Sequence, residues 1–100
     1  IKKCGPLGKQ ITLRPLVDQI TRSSTSVGAN YAEANNASSK ADFRSKIFIS
    51  KKEAAETRYW LKVLALLVPE EDFSTLEQEA LELNLIFQKI ITTIRHSNEK

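Results

Sequence analysis

The strongest constraint on the fold is a row of residues running through Phe43, Ile47, Ser50, Ala54, Thr57, Leu61, Leu64 and Val68. Steps of three and four place every member on one side of an α-helix. Pro69 closes the row, because proline disfavours helical geometry in the residue before it. A helix of this kind is a rod of about 42 Å at 1.5 Å per residue. Such a rod needs partners along its whole length. A second row, Ile49, Glu53, Glu56, Trp60, Val63 and Leu67, flanks the first. A face that wide meets more than one neighbour.

The neighbours are legible on either side. Upstream, Leu13, Val17, Ile20, Val27, Tyr31 and Ala34 form an inward stripe, with Ser24 in its gap. This predicts a helix over 13–36. Thr12 would be its N-cap and Pro15 would lie in its first turn, where a missing N–H is harmless. Asn35 and Asn36 suit its end. The small residues Ser23, Ser24, Gly28 and Ala29 predict close approach by another backbone. Ser38 or Ser39 caps the long helix over 39–68, and Ser39 with Asp42 has capping-box spacing. Downstream, the short acidic link Pro69–Phe73 makes a third helix, over 74–96, antiparallel to the second. Ser74 with Glu77 is its expected cap, and Asp72 is the alternative. Its inward residues read as Leu76, Ala80, Leu83, Phe87, Ile90 and Ile94. Leu81, Leu85, Ile86 and Ile91 widen that face, and Leu81 and Leu85 read as subunit contacts. Residues 1–12, punctuated by Gly5, Pro6 and Gly8, read as a loop or the end of a preceding helix. Three helices can make a bundle, but the widths of the apolar faces call for a fourth.

Polar residues also fall in register. Arg22, Ser26, Asn30 and Glu33 lie on one side of the first helix, and Glu53 and Glu56 lie on the second. Arg22 is expected to pair with a glutamate across the interface. Asn30 and Ser26 are expected to bond groups of the facing helix. The plainest reading is a network that satisfies itself and fixes register, which places Arg22, Asn30 and Glu33 in or beside a helix interface. As a metal site it is poor. Glu33, Glu53 and Glu56 offer oxygens, but His96 is the only histidine and there is no Glu-x-x-His pair. His96 suits the end of the last helix better. No phosphate-binding glycine loop or dinucleotide fingerprint is present, so the expectation is a non-enzyme without cofactor or metal.

Charge narrows the partners. Residues 1–60 hold 11 Lys/Arg and 5 Asp/Glu, a net +6, whereas residues 61–100 hold 4 and 7, a net −3. The two halves suit a soluble outer face or a contact between copies. They also make nucleic acid, RNA or DNA, the better functional candidate. Arg14, Arg22, Lys40, Arg44, Lys46, Lys51, Lys52 and Arg58 can neutralise phosphates without reading sequence. No helix-turn-helix, zinc finger or single-strand-binding aromatic pair accompanies them. Tyr31, Phe43 and Phe48 read as core or subunit contacts. With 41% apolar residues in 100, the core is modest and a homo-oligomer is expected. Repetition around a ring would multiply each basic patch. Cys4, the lone cysteine, permits no internal disulfide and suits a reducing, cytoplasmic setting. There is no apolar run long enough for a membrane span.

Two linked signatures give a resemblance. Arg22, Ser23, Ser26, Asn30 and Glu33 form the first, and Asp42, Phe43, Lys52, Glu53, Ala54, Glu56 and Leu61 form the second. Together, over about residues 13–95, the chain resembles the bacterial four-helix-bundle family associated with intervening sequences in 23S ribosomal RNA genes. The resemblance implies an all-α, antiparallel, up-and-down four-helix bundle whose first helix lies partly or wholly before Ile1. The family is similar to the accessory variability protein of diversity-generating retroelements, which implies a pentamer and binding to nucleic acid or a reverse transcriptase. It implies no catalytic residue.

Overall fold

A computed structural model of the chain describes residues 5–99, with side chains described over residues 13–95. Cys4 and the His96 side chain lie outside the described residues. Three helices follow one another: α1 Gly5–Asn35, α2 Lys40–Leu67 and α3 Ser74–Glu99. The described chain is helical with short connections and contains no strand. None of its helices is long and apolar enough to cross a membrane. The molecule is a rod of 61 × 21 × 15 Å.

The ends follow local chemistry. Ser39 takes an extended backbone and its hydroxyl accepts the Asp42 N–H at 3.0 Å, capping α2. Val68 closes α2 by donating its N–H to the Leu64 carbonyl, one residue before Pro69. Asn36 ends α1 by donating its side-chain amide to the Ala32 carbonyl. At α3 it is Asp72 that acts: its Oδ1 accepts the Ser74 N–H at 2.9 Å. Ser74 lies inside the helix rather than at its cap. The start of α1 also differs from expectation. Its backbone is already helical at Gly5, so Pro15 sits within the helix and not in its first turn. There the proline removes one backbone donor.

α2 is the middle element. It packs on α1 along one flank and on α3 along the other, whereas among the described residues no Cα of α1 comes within 8 Å of one of α3. Both pairings are antiparallel, since partner numbers fall on one helix as they rise on the other: Arg22 with Glu53, Ser50 with Val27 and Lys46 with Glu33, then Asn84 with Lys51 and Lys62 with Glu77. The core joins Val27, Ala34, Ile47, Ala54, Phe87 and Ile91, with Phe43 and Ile90 against it. Tyr31 and Phe87, 6.0 Å between ring centres, meet above α2 and join α1 to α3.

This arrangement sorts the apolar stripes. On α2, Ile47, Ser50, Ala54, Thr57, Leu61 and Leu64 are all buried. On α1 the buried residues are Leu16, Ser23, Val27 and Ala34, while Val17 and Tyr31 stay exposed. On α3 they are Ala80, Phe87 and Ile91, while Leu76, Leu83 and Ile86 stay exposed. The reason is the number of neighbours. α2 packs along both flanks, whereas α1 and α3 pack along α2 and meet each other at Tyr31 and Phe87, so part of each outer stripe borders an open trough. Gly28 lies on that side, and an added Cβ there would meet nothing within 4 Å. Among the described residues no backbone approaches it closely, contrary to the expectation from its size.

Candidate nucleic-acid interface

The polar residues divide into a seam between α1 and α2 and a ridge on the outside of α2. In the seam, Arg22 reaches across from α1. Its Nη1 donates to Glu53 Oε2 at 2.9 Å, its Nη2 pairs with Glu56, and its Nε donates to Gln19 Oε1. Trp60 Nε1 donates to the same Glu56 carboxylate. The Arg22 side chain remains 49% exposed, but the Glu53 side chain is 9% exposed. A carboxylate that enclosed needs its cation. Glu33 lies at the seam's edge, paired with Lys46 at 3.3 Å. Asn30 bonds the Ser26 carbonyl and hydroxyl of its own helix instead of reaching to α2. The amide is short, and Ser26 is one turn away.

The buried part of the seam includes the hydroxyls of Ser23, Ser50 and Thr57. Ser23 Oγ lies 2.7 Å from Thr57 Oγ1, and Thr57 donates to the Glu53 carbonyl at 2.9 Å. Each hydroxyl has one proton. Using both short contacts therefore requires Ser23 to donate to Thr57. Ser50 donates to the Val27 carbonyl across the interface. Small side chains let the helices approach, and the approach brings each hydroxyl to an acceptor. A signal was present in the sequence: Ser50 and Thr57 interrupt an otherwise apolar stripe.

These groups have their partners inside the protein. Among the described residues no group of three or more His, Cys, Asp or Glu could hold a metal ion.

The ridge is different. Lys40, Arg44, Lys51, Arg58 and Lys62 follow one another at steps of four, seven, seven and four, and so share a side of α2. Lys52 stands beside them. Among the described residues no carboxylate pairs with Lys40, Arg44, Lys51, Lys52 or Arg58. Lys62, absent from the sequence-based set, extends the row by one turn and pairs loosely with Glu77 at 3.8 Å. The other expected phosphate contacts do not join this row. Lys46 and Arg22 are held in the seam, and Arg14 is exposed on α1. Phe48 and Tyr59 also stand on the ridge, 43% and 58% exposed, outside the core. Phe43, in contrast, packs against it.

Comparison with known proteins places this geometry. No curated protein matches. A crystal structure of a protein of unknown function from the S23 ribosomal protein family of Bacteroides thetaiotaomicron, at 1.70 Å, is similar with a TM-score of 0.71 and 39% identity, over 76% of this chain and 72% of that one. The model of the 23S rRNA-intervening sequence protein family matches residues 7–89, and with both signatures inside that span the chain belongs to this family.

Proposed function

We propose that this protein is a non-enzymatic assembly module that binds nucleic acid through the outer ridge of α2. The observation that carries the reading is the row Lys40, Arg44, Lys51 and Arg58, cations without carboxylate partners among the described residues. The α1–α2 seam, by contrast, neutralises its own charges. Phosphate neutralisation releases counterions, so affinity falls with salt at a slope of about −0.9 per phosphate contacted on duplex DNA. Fluorescence anisotropy with labelled ribosomal RNA fragments and duplex DNA across a salt series tests the reading. Binding that weakens steeply with salt is expected, with Lys51→Ala reducing the slope by about one contact and Arg14→Ala leaving it unchanged. Undetectable binding at low salt to both probes would remove the proposal.

The same reading includes a fourth helix and assembly. The trough between α1 and α3, bordered by Val17, Leu76, Leu83 and Ile86, suits an apolar helix that completes an up-and-down four-helix bundle. Exposed Leu85 and half-buried Leu81 on α3 suit a homo-oligomer, with the family resemblance favouring a pentamer and the lone cysteine suiting a cytoplasmic setting. Gel filtration with light scattering, with and without RNA, reads assembly and complex formation together. A second reading, a scaffold for a protein such as a reverse transcriptase, is favoured by the exposed apolar side chains of α3. A partner retained after nuclease treatment would support it over the first.

A further inference from the structure

The ridge carries more than charge. Two shallow cavities lie end to end on it and share Ala55 as a wall. One, of ≈ 410 Å³, is lined by Phe48, Ile49, Lys51, Lys52 and Ala55. The other, of ≈ 240 Å³, is lined by Ala55, Arg58, Tyr59, Lys62, Leu81 and Asn84. Each therefore offers one exposed aromatic ring and two cations. The small Ala55 side chain leaves the surface low between Phe48 and Tyr59. Those two rings are eleven residues apart on nearly the same side of α2, about 16 Å along the helix at 1.5 Å per residue. Trp60 meets Tyr59 edge-on, with ring centres 5.0 Å apart and planes at 70°, which steadies the Tyr59 ring. Among the described residues no carboxylate pairs with Arg58, and its Nε is buried without a hydrogen-bond partner, so the guanidinium has donor capacity that the protein leaves unused.

We propose that these two cavities take unpaired, single-stranded nucleic acid, with bases stacked on Phe48 and Tyr59 and phosphates on Lys51, Lys52, Arg58 and Lys62. The inference rests on the nucleic-acid reading above and sharpens it. A duplex offers phosphates to the cations but keeps its base faces stacked within itself. Only an unpaired strand presents base faces to the two rings, and such stacking is tolerant of sequence. Loose pairing of Lys62 with Glu77 at 3.8 Å, with the lysine half-exposed, leaves that cation open to a competing phosphate.

The test uses the whole chain, an oligo(dT) strand and a duplex of equal length, read by fluorescence anisotropy over a salt series. Phe48→Ala and Tyr59→Ala are each expected to weaken oligo(dT) binding about tenfold, within the range for loss of one stacked base, with the salt slope and duplex affinity unchanged. Tyr59→Phe keeps the ring and is expected to restore binding. Lys52→Ala is expected to lower the slope on both probes. If the aromatic variants bind oligo(dT) normally while Lys52→Ala weakens it, stacking is wrong and phosphate binding stands. If neither probe binds the unaltered chain at low salt, both readings fall. Light scattering on the aromatic variants adds one more outcome: a drop in mass would assign the rings to a contact between copies and overturn the inference.

Discussion

The two seams of α2 are built differently. Toward α1 it is bonded: Arg22 to Glu53 and Glu56, Ser23 to Thr57, Ser50 to the Val27 carbonyl and Lys46 to Glu33. Toward α3 it is mostly apolar, with Phe87 and Ile91 in the core and, among the described residues, two polar links, Asn84 to the Lys51 carbonyl and Lys62 to Glu77. Hydrogen bonds are directional and penalise a slipped register, because a buried group left unpaired costs about 1–3 kcal/mol. Apolar burial is larger per residue but indifferent to small shifts. The α1–α2 seam therefore fixes alignment, and the α2–α3 seam supplies adhesion.

The largest expected effect tests adhesion. Phe87 is buried and touches the core from α3. Phe87→Ala should cost about 3–5 kcal/mol, and Ile91→Ala about 2–5 kcal/mol, as transfer and cavity terms together. Urea unfolding measures both. A loss under about 1 kcal/mol for either would mean that α3 contributes little to stability, and the contrast between the seams would fail.

Alignment should respond less and with a different signature. Arg22→Ala leaves the enclosed Glu53 carboxylate without its cation. Because Arg22 is half-exposed, the expected loss is about 1–2 kcal/mol, well below that for a fully buried pair. Ser23→Ala should cost about 1 kcal/mol by removing a buried donor. The double variant with Thr57→Val should cost less than the sum of the two single changes, since removing both partners leaves no orphan hydroxyl at that contact. Strict additivity in this double-mutant cycle would show that the two hydroxyls are merely neighbours.

The same contrast explains what could be read from the sequence. The α2 row is legible from Ile47 to Leu64 because a helix with a neighbour on each side buries the middle of its stripe; Phe43 and Val68 at its ends are half-buried, and Ile49 and Leu67 of the flanking row are exposed. The rows of α1 and α3 gave the helices but not their burial. Val17, Tyr31, Leu76 and Leu83 have inward spacing and are exposed, while Leu16, outside the α1 stripe, and Ile91, on the flank of the α3 stripe, are buried. Periodicity reports which face is apolar, not which neighbour covers it. The ion-pair partners of Arg22 followed from charge and spacing. The Ser23–Thr57 contact did not, because a serine on a helix reads equally as a spacer or a donor. On the ridge the lysines were visible, but Phe48 read as a contact residue and Tyr59 carried no signal until both were placed outside the core. Pro15 misled the reading of α1, since a proline that opens a helix and one that lies inside it differ only in their upstream context.

A smaller change probes the open side that this contrast leaves on α1. Gly28→Ala adds a methyl group where nothing lies within 4 Å and replaces a poor helix former in a helix interior. Thermal or urea unfolding should show a gain of up to about 1 kcal/mol. A loss of stability instead would mean that another helix, from this chain or a second copy, packs against Gly28.

The smallest effect concerns how the two seams begin, at the caps of α2 and α3. Ser39 caps α2 with a hydroxyl, which does not titrate in the acid range. Asp72 serves α3 with a carboxylate, and hydrogen bonds from the Ser74 side chain and backbone N–H hold its pKa below the usual 3.8. A carboxyl whose folded pKa is depressed stabilises the fold above its unfolded value and loses that contribution as pH falls through the folded one. Asp72 is fully exposed, so the effect is local and small. The cost of Ser39→Ala, about 1 kcal/mol, should therefore be the same at neutral and acid pH. The effect of Asp72→Asn should be present at neutral pH and vanish once pH is well below 3.8. In NMR, the Ser74 amide shift should titrate below pH 3.8 in the unaltered chain and stay flat in Asp72→Asn. If the Ser74 signal instead follows global acid unfolding in both proteins, Asp72 does not act as a separate cap, and the start of α3 depends on the rest of the fold.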